Sequence, residues 1–169
     1  MNLLEDISPV TEDGSLVRVL IECQKGSVHK YEYDPRGVLT VVRDLGKRFR
    51  YPFDYGCVPN TLAGDNDALD AIVISKESYV PTTILNCRVV GLIKMIDNGE
   101  EDNKLICVPY YSNIKKIKLR KILKYLNSYK YPYQSGTEIT GIFNSEEAWK
   151  EINACVERQK WTKSILKSQ

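Results

Sequence analysis

The spacing of apolar residues changes once along this chain, and that change limits what the chain can fold into. Up to about residue 110 they recur at every second position in short runs; beyond about residue 115 they recur every three or four. The run 16–23, LVRVLIEC, sets Val17, Val19, Ile21 and Cys23 on one face of a strand, because successive strand side chains point to opposite faces. The run 28–33, VHKYEY, predicts a second strand with Lys30 and Glu32 on one face and Tyr31 and Tyr33 on the other. After the turn sequence DPRG, a third strand over 38–43 places Arg43 beside Leu39 and Val41. Further strands are expected over 69–74, 84–96 and 104–109. The last two are joined by DNGEED, whose Asn-Gly favours a tight turn.

Downstream, Leu119, Ile122, Leu123, Leu126 and Tyr129 form the stripe of an amphipathic helix that Pro132 stops. A second helix begins at Asn144, an N-cap with Glu147 at the third helical position, and runs through Trp149, Ile152 and Val156 toward Trp161. Strands followed by helices give the α+β class: a small closed or nearly closed β-barrel with two flanking C-terminal helices. A length of 169 residues suits a single domain, 1–169, with a real core.

Charge and cysteine usage exclude several functions. With 24 Lys+Arg against 22 Asp+Glu, the net charge of +2 gives no general attraction to nucleic acid or an anionic membrane. No apolar run approaches the ~20 residues that span a bilayer. The acidic start, MNLLEDISPVTEDG, lacks the basic and apolar regions of a secretory signal. Five scattered cysteines, Cys23, Cys57, Cys87, Cys107 and Cys155, show no paired spacing and read as buried free thiols of a cytoplasmic protein. One histidine, His29, makes a Ser-His-Asp mechanism available only in principle.

The chemistry concentrates in two acidic clusters. In GDNDALDAIVI, Asp65, Asp67 and Asp70 crowd a turn that leads straight into a strand. Like charges ~4 Å apart repel by ~4 kcal/mol at an effective dielectric of 20, so something positive must offset them. A calcium-binding EF-hand loop would need Gly at the sixth position and Glu at the twelfth; here those positions hold Asp70 and Lys76. A solvated acidic turn is the bland alternative, weakened by Asp70 standing in the apolar approach to a strand. The second cluster, KMIDNGEEDNK, brings Asp97 close to Asp102 across a hairpin. Together the clusters offer oxygen donors with no His or Cys, which selects Mg²⁺, Mn²⁺ or Ca²⁺ over zinc. Lys30, Arg43 and Lys104, each on a strand, and the phenols of Tyr51 and Tyr55 complete a set suited to a highly charged anion held with metal ions.

In order and spacing, Glu22, Lys30-Tyr31-Glu32, Arg43, Tyr51-Pro52-x-x-Tyr55-Gly56, Asp65-Asn66-Asp67-x-x-Asp70 and Asp97…Asp102-Asn103-Lys104 resemble the family I soluble inorganic pyrophosphatases. The resemblance is dense over about residues 15–110. It implies an OB-like barrel, a homo-oligomer with a hexamer favoured, and Mg²⁺-dependent hydrolysis of pyrophosphate, several ions per site, with Mn²⁺ or Zn²⁺ as substitutes. It further implies that Asp65, Asp70 and Asp102 hold the metal pair that activates the attacking water, and that Asp67 takes that water's proton. Asp97, with Asp102, and Glu32 would serve substrate-borne ions. Lys30, Arg43 and Tyr55 would bind phosphate, Lys104 with them, while Glu22 and Tyr51 support. Tyr129-Lys130 resembles the pair that holds the leaving phosphate.

Three rivals are weighed against this, one of them a degenerate pyrophosphatase fold kept as a structural subunit, which the presence of every assigned polar residue disfavours. The lysine-rich run Lys115, Lys116, Lys118, Arg120, Lys121, Lys124 is the footprint expected of a nucleic-acid-binding barrel, but the solvated face of a helix explains it as well. A different metal-dependent phosphohydrolase would carry the same residue types.

Overall fold

The computed structural model describes residues 1–114, 116–128 and 136–168. In chain order the elements are α1 (Leu3–Asp6), β1 (Val17–Cys23), β2 (His29–Tyr33), β3 (Leu39–Asp44), β4 (Asp54–Cys57) and β5 (Asp70–Val73). There follow β6 (Ile84–Asp97), β7 (Glu100–Glu101), β8 (Lys104–Pro109), α2 (Leu119–Ser128), β9 (Thr137–Phe143) and α3 (Ser145–Lys167).

Five of these strands close into a ring. β1 pairs with β4, β4 with β5, β5 with β8, β8 with β6, and β6 returns to β1. Among the described residues only β5–β8 is parallel, in the register Asp70↔Lys104. β6 is long enough to serve four neighbours, pairing β1 at its start, β8 in its middle, and β9 and the short β7 toward its end. The strands β2 and β3 form a separate hairpin. The expected α+β barrel with C-terminal helices is the architecture found. Three strands and a helix lie outside the expectation: β4, the two-residue β7, the edge strand β9 and the short α1.

The barrel strands β1, β4, β5 and β8 are buried on both faces, whereas β6 alternates between buried and more exposed positions over much of its length. Ala71 and Val73 of β5, with Leu105 and Cys107 of β8, join a cluster closed by Ala148, Ile152 and Cys155 of α3. Ile72 and Ile106, from the alternate positions, join a second cluster with Tyr51, Phe53 and Tyr55, closed by Ile122, Tyr125 and Leu126 of α2. The polar face of α2, with Lys118, Arg120, Lys121 and Lys124, is exposed. Asn144 caps α3 as its sequence predicts, accepting from Glu147 N at 3.1 Å. All five cysteines are buried and free. No described helix is long and apolar enough to cross a membrane.

Two backbone features aim the barrel's side chains. Gly56 is required where β4 meets β1, because a Cβ there would stand 2.0 Å from Leu20 O. The register of β2 on β3 shifts between Lys30 and Tyr31. The successive partners there are Arg43 and Val41, so the extra residue, Val42, lies on β3; on β2, Tyr33, expected opposite Lys30, lines the same cavity as Lys30 and Glu32.

Candidate active site

A cavity of about 320 Å³ lies where one end of the barrel meets the β2–β3 hairpin. Glu22 reaches it from β1, Lys30 and Glu32 from β2, Arg43 from β3, and Tyr55 from β4. Asp65 and Asp67 come from the turn before β5, Asp70 from its first residue, and Asp97 from the end of β6. Asp102 and Lys104 approach from β8 and the residues leading into it. These are the residues that the sequence singles out, with one exception. Tyr51 does not line the cavity; it is buried behind it, its ring 5.6 Å from that of Tyr55 and 5.3 Å from that of Tyr125. Tyr129 and Lys130 lie outside the described residues. Leu4, Tyr33, Cys57, Asn98 and Glu100 also line the cavity; Asn98 and Glu100 lie within the second acidic cluster, and no motif pointed to Leu4, Tyr33 or Cys57.

Local structure holds the acidic turn open. Asp67 N donates to Asp65 Oδ1 at 3.1 Å, and Ala63 N donates to Asp67 O at 2.7 Å, so the turn is fixed by its own backbone. Behind it, Thr61 Oγ1 accepts from Leu69 N and donates to Val58 O. Arg158 of α3 donates to Leu62 O at 2.6 Å. The second cluster is fixed in a comparable way. Asn103 accepts from Met95 N and donates to Glu151 of α3, while Asp102 N donates to Met95 O.

The electrostatic centre of the site is Lys104, 1% exposed. Its Nζ donates to Asp70 Oδ2 at 2.6 Å and to Asp102 Oδ1 at 2.7 Å, and lies 5.6 Å from the centre of the Tyr55 ring. The Tyr55 hydroxyl donates to the same Asp70 oxygen at 2.5 Å. Burial pushes the Asp70 carboxyl up, but the charge and hydrogen bond of Lys104 outweigh burial and hold it below its usual range. Asp65 and Asp67 are pushed the other way. Loss of water is the main cause for both; the charge of Asp70 adds to it at Asp65, and those of Glu32 and Asp70 at Asp67. Glu22, buried and facing Asp70, is pushed up to about 8. Lys30 pairs with Glu32.

Eight carboxylates and three cations line this cavity, a charge imbalance that a neutral ligand would leave uncorrected. Among the described residues no three His, Cys, Asp or Glu side chains already gather as a metal would hold them. The donors available are nonetheless all oxygen and in excess of the cations, which fits hard divalent ions and not zinc-type ligation. Cations and carboxylates sharing one cavity suit an anion that arrives with metal ions.

The chain is similar to known proteins over most of its length. A family model described as inorganic pyrophosphatase matches residues 19–160. The inorganic pyrophosphatase of Synechocystis is 36% identical over 157 residues, covering 86% of this chain and 89% of that protein. That of Halalkalibacterium halodurans is 37% identical over 156 residues, covering 86% of this chain and 96% of the relative. The crystal structure of the inorganic pyrophosphatase from Thermus thermophilus superposes with a TM-score of 0.85 at 32% identity, covering 95% of this chain and 99% of that one. The chain belongs to the inorganic pyrophosphatase family.

Proposed function

We propose that this enzyme hydrolyses inorganic pyrophosphate to two orthophosphates with Mg²⁺ as its working metal, and that the cavity residues divide the work as follows. The observation that carries the reading is the meeting of eight carboxylates and three cations in one cavity. Asp65, Asp70 and Asp102 would hold a metal pair, and Asp97, with Asp102, and Glu32 ions that arrive with the substrate. When bound, such ions neutralise phosphate oxygens and lower the pKa of water. Asp67 stands at the exposed rim, where its upward shift makes it a better proton acceptor than a free aspartate. Arg43 and Lys30 supply fixed positive charge for the phosphoryl oxygens, where donors aimed at developing charge contribute most. Tyr55 offers its hydroxyl beside Asp70, and Tyr51 holds that ring from behind. Lys104, beyond any phosphate contact, keeps Asp70 ionised and, by bridging it to Asp102, holds the two carboxylates in place. Glu22 supports from the cavity floor, and Tyr129 and Lys130 would meet the leaving phosphate.

Residues 1–169 form one domain on this reading, since the helices at the end of the chain close the clusters built by the barrel. Mn²⁺ or Zn²⁺ would substitute for Mg²⁺. The cytoplasm is the proposed location, supported by five unpaired thiols. A homo-oligomer, with a hexamer favoured, is the proposed assembly; a monomer alone in sedimentation would contradict it. The function is tested by phosphate release from pyrophosphate, tripolyphosphate and ATP, each with Mg²⁺, Ca²⁺ or chelator. Rapid release from pyrophosphate with Mg²⁺ and little with Ca²⁺ is expected, because Ca²⁺ takes longer bonds and a looser shell. Equal rates on all three substrates would point to a general phosphohydrolase.

A further inference from the structure

One residue of the cavity wall does not match its surroundings. Leu4 is an aliphatic residue lining a cavity otherwise lined mostly by charged and polar groups. It can neither coordinate a cation nor donate to a phosphate. It is also not there by default, since the segment that carries it is tied down at both ends. Asn60 N donates to Leu4 O at 2.6 Å, and Asn60 is itself held from α3 by Lys163 Nζ at 2.9 Å. At the other end, Asn2 Nδ2 donates to Pro35 O in the turn of the β2–β3 hairpin at 3.0 Å, while its Oδ1 caps α1 by accepting from Leu4 N. Gly37 makes room for this clip: at φ +79 it tolerates the turn, and a Cβ there would lie 2.7 Å from Asn2 Oδ1. The segment thus bridges the hairpin that carries Lys30, Glu32 and Arg43 to the loop that leads into Asp65 and Asp67.

We propose that Leu4 is a specificity-determining residue: held in the cavity wall by this strap, it closes the site to linear phosphates longer than a diphosphate. The proposal rests on the pyrophosphatase reading above. Its physical basis is desolvation. A phosphoryl oxygen pressed against an aliphatic side chain loses water and gains no donor, which is unfavourable for a polar group and more so for a charged one. A diphosphate is served by the cations and carboxylates of the cavity. The extra phosphoryl of tripolyphosphate or a nucleoside triphosphate must find further room, and an apolar wall offers no compensation on that side. The discrimination is of the kind an enzyme achieves by leaving a competitor's polar group unpaired.

The test is the ratio of kcat/KM for tripolyphosphate to that for pyrophosphate, measured with Mg²⁺ on the wild type, Leu4→Ala, Asn2→Ala and Glu5→Ala, with melting temperatures alongside. Leu4→Ala should raise the ratio by about tenfold or more, the scale that a few methylenes set in a specificity pocket. Asn2→Ala, which loosens the strap without touching the cavity, should raise it by less. Glu5→Ala, on the exposed side of α1, should leave it unchanged. A folded Leu4→Ala with an unaltered ratio overturns the proposal; if that variant does not fold, an unaltered ratio in Asn2→Ala overturns it. A wild type that releases no phosphate from pyrophosphate is a different result and refutes the underlying function instead.

Discussion

Asp67 and Asp54 are both carboxylates pushed up chiefly by loss of water, yet they carry different expectations. Asp67 faces the cavity, and Asp67→Asn keeps its shape while removing its basicity. A positioned base contributes about 10²–10⁴-fold, so turnover should fall by that range in a phosphate-release assay while the melting temperature holds. Full activity in that variant would reassign the base. Asp54 is buried outside the cavity, its Oδ1 accepting from Lys25 N at 2.7 Å and from Ser78 Oγ at 3.2 Å. Its Oδ2 is buried with no hydrogen-bond partner among the described residues. A carboxyl raised in the folded state contributes most to stability below the ordinary carboxylate range, and that contribution is lost as pH rises through its folded value. The melting temperature of the wild type relative to Asp54→Asn should therefore climb as pH falls from about 7 toward about 4, the ordinary aspartate value. A difference independent of pH would show that Asp54 titrates normally.

At the scale of elements, what the sequence made legible follows from how long and how periodic each element is. β1, β6 and β8 were recognisable because their apolar residues persist over six or more positions. β4 was not: four residues with Gly56 inside carry no alternation, and its place is set by the close approach to β1. β9 was missed for the opposite reason, since it lies at a sheet edge, half exposed and interrupted by Gly141. Tyr33 lines the cavity beside Lys30 and Glu32, which a strict period-two pattern does not predict. The residues gathered in the cavity were nearly all legible as charged types in apolar strands, whereas Leu4 and Cys57 look like ordinary core residues until the fold brings them there. The cap of α3 was readable outright, and it makes a measurable claim. Asn144→Ala removes the acceptor for Glu147 N, a loss of typically ~1 kcal/mol. In a protein of this size that lowers the melting temperature by about 2–4 °C; no change would mean that packing against the barrel alone sets the start of α3.

For the molecule as a whole, eight carboxylates against three cations in one cavity make the metal-free fold carry its own repulsion. Divalent ions that bind only the folded state stabilise it by about 2.7 kcal/mol at a hundredfold excess over Kd. Mg²⁺ should raise the melting temperature relative to chelator without any substrate present, and an unchanged value would remove the metal from this cavity. The parallel pairing of β5 with β8 has a kinetic counterpart. The ring closes between residues far apart in the chain, Val17 against Cys87, and non-local closure of this kind slows folding. Lys104 finds Asp102 two positions away but Asp70 thirty-four positions away. A half-assembled barrel with β8 seated and β5 absent would strand a dehydrated ammonium without its distant carboxylate, so such a species should scarcely accumulate. The charges that make the site thereby also make its assembly all-or-none. Backbone amides of β5 and β8 should lose protection from hydrogen exchange together, at the rate of global unfolding, and separate release of β5 would show that the ring opens there first.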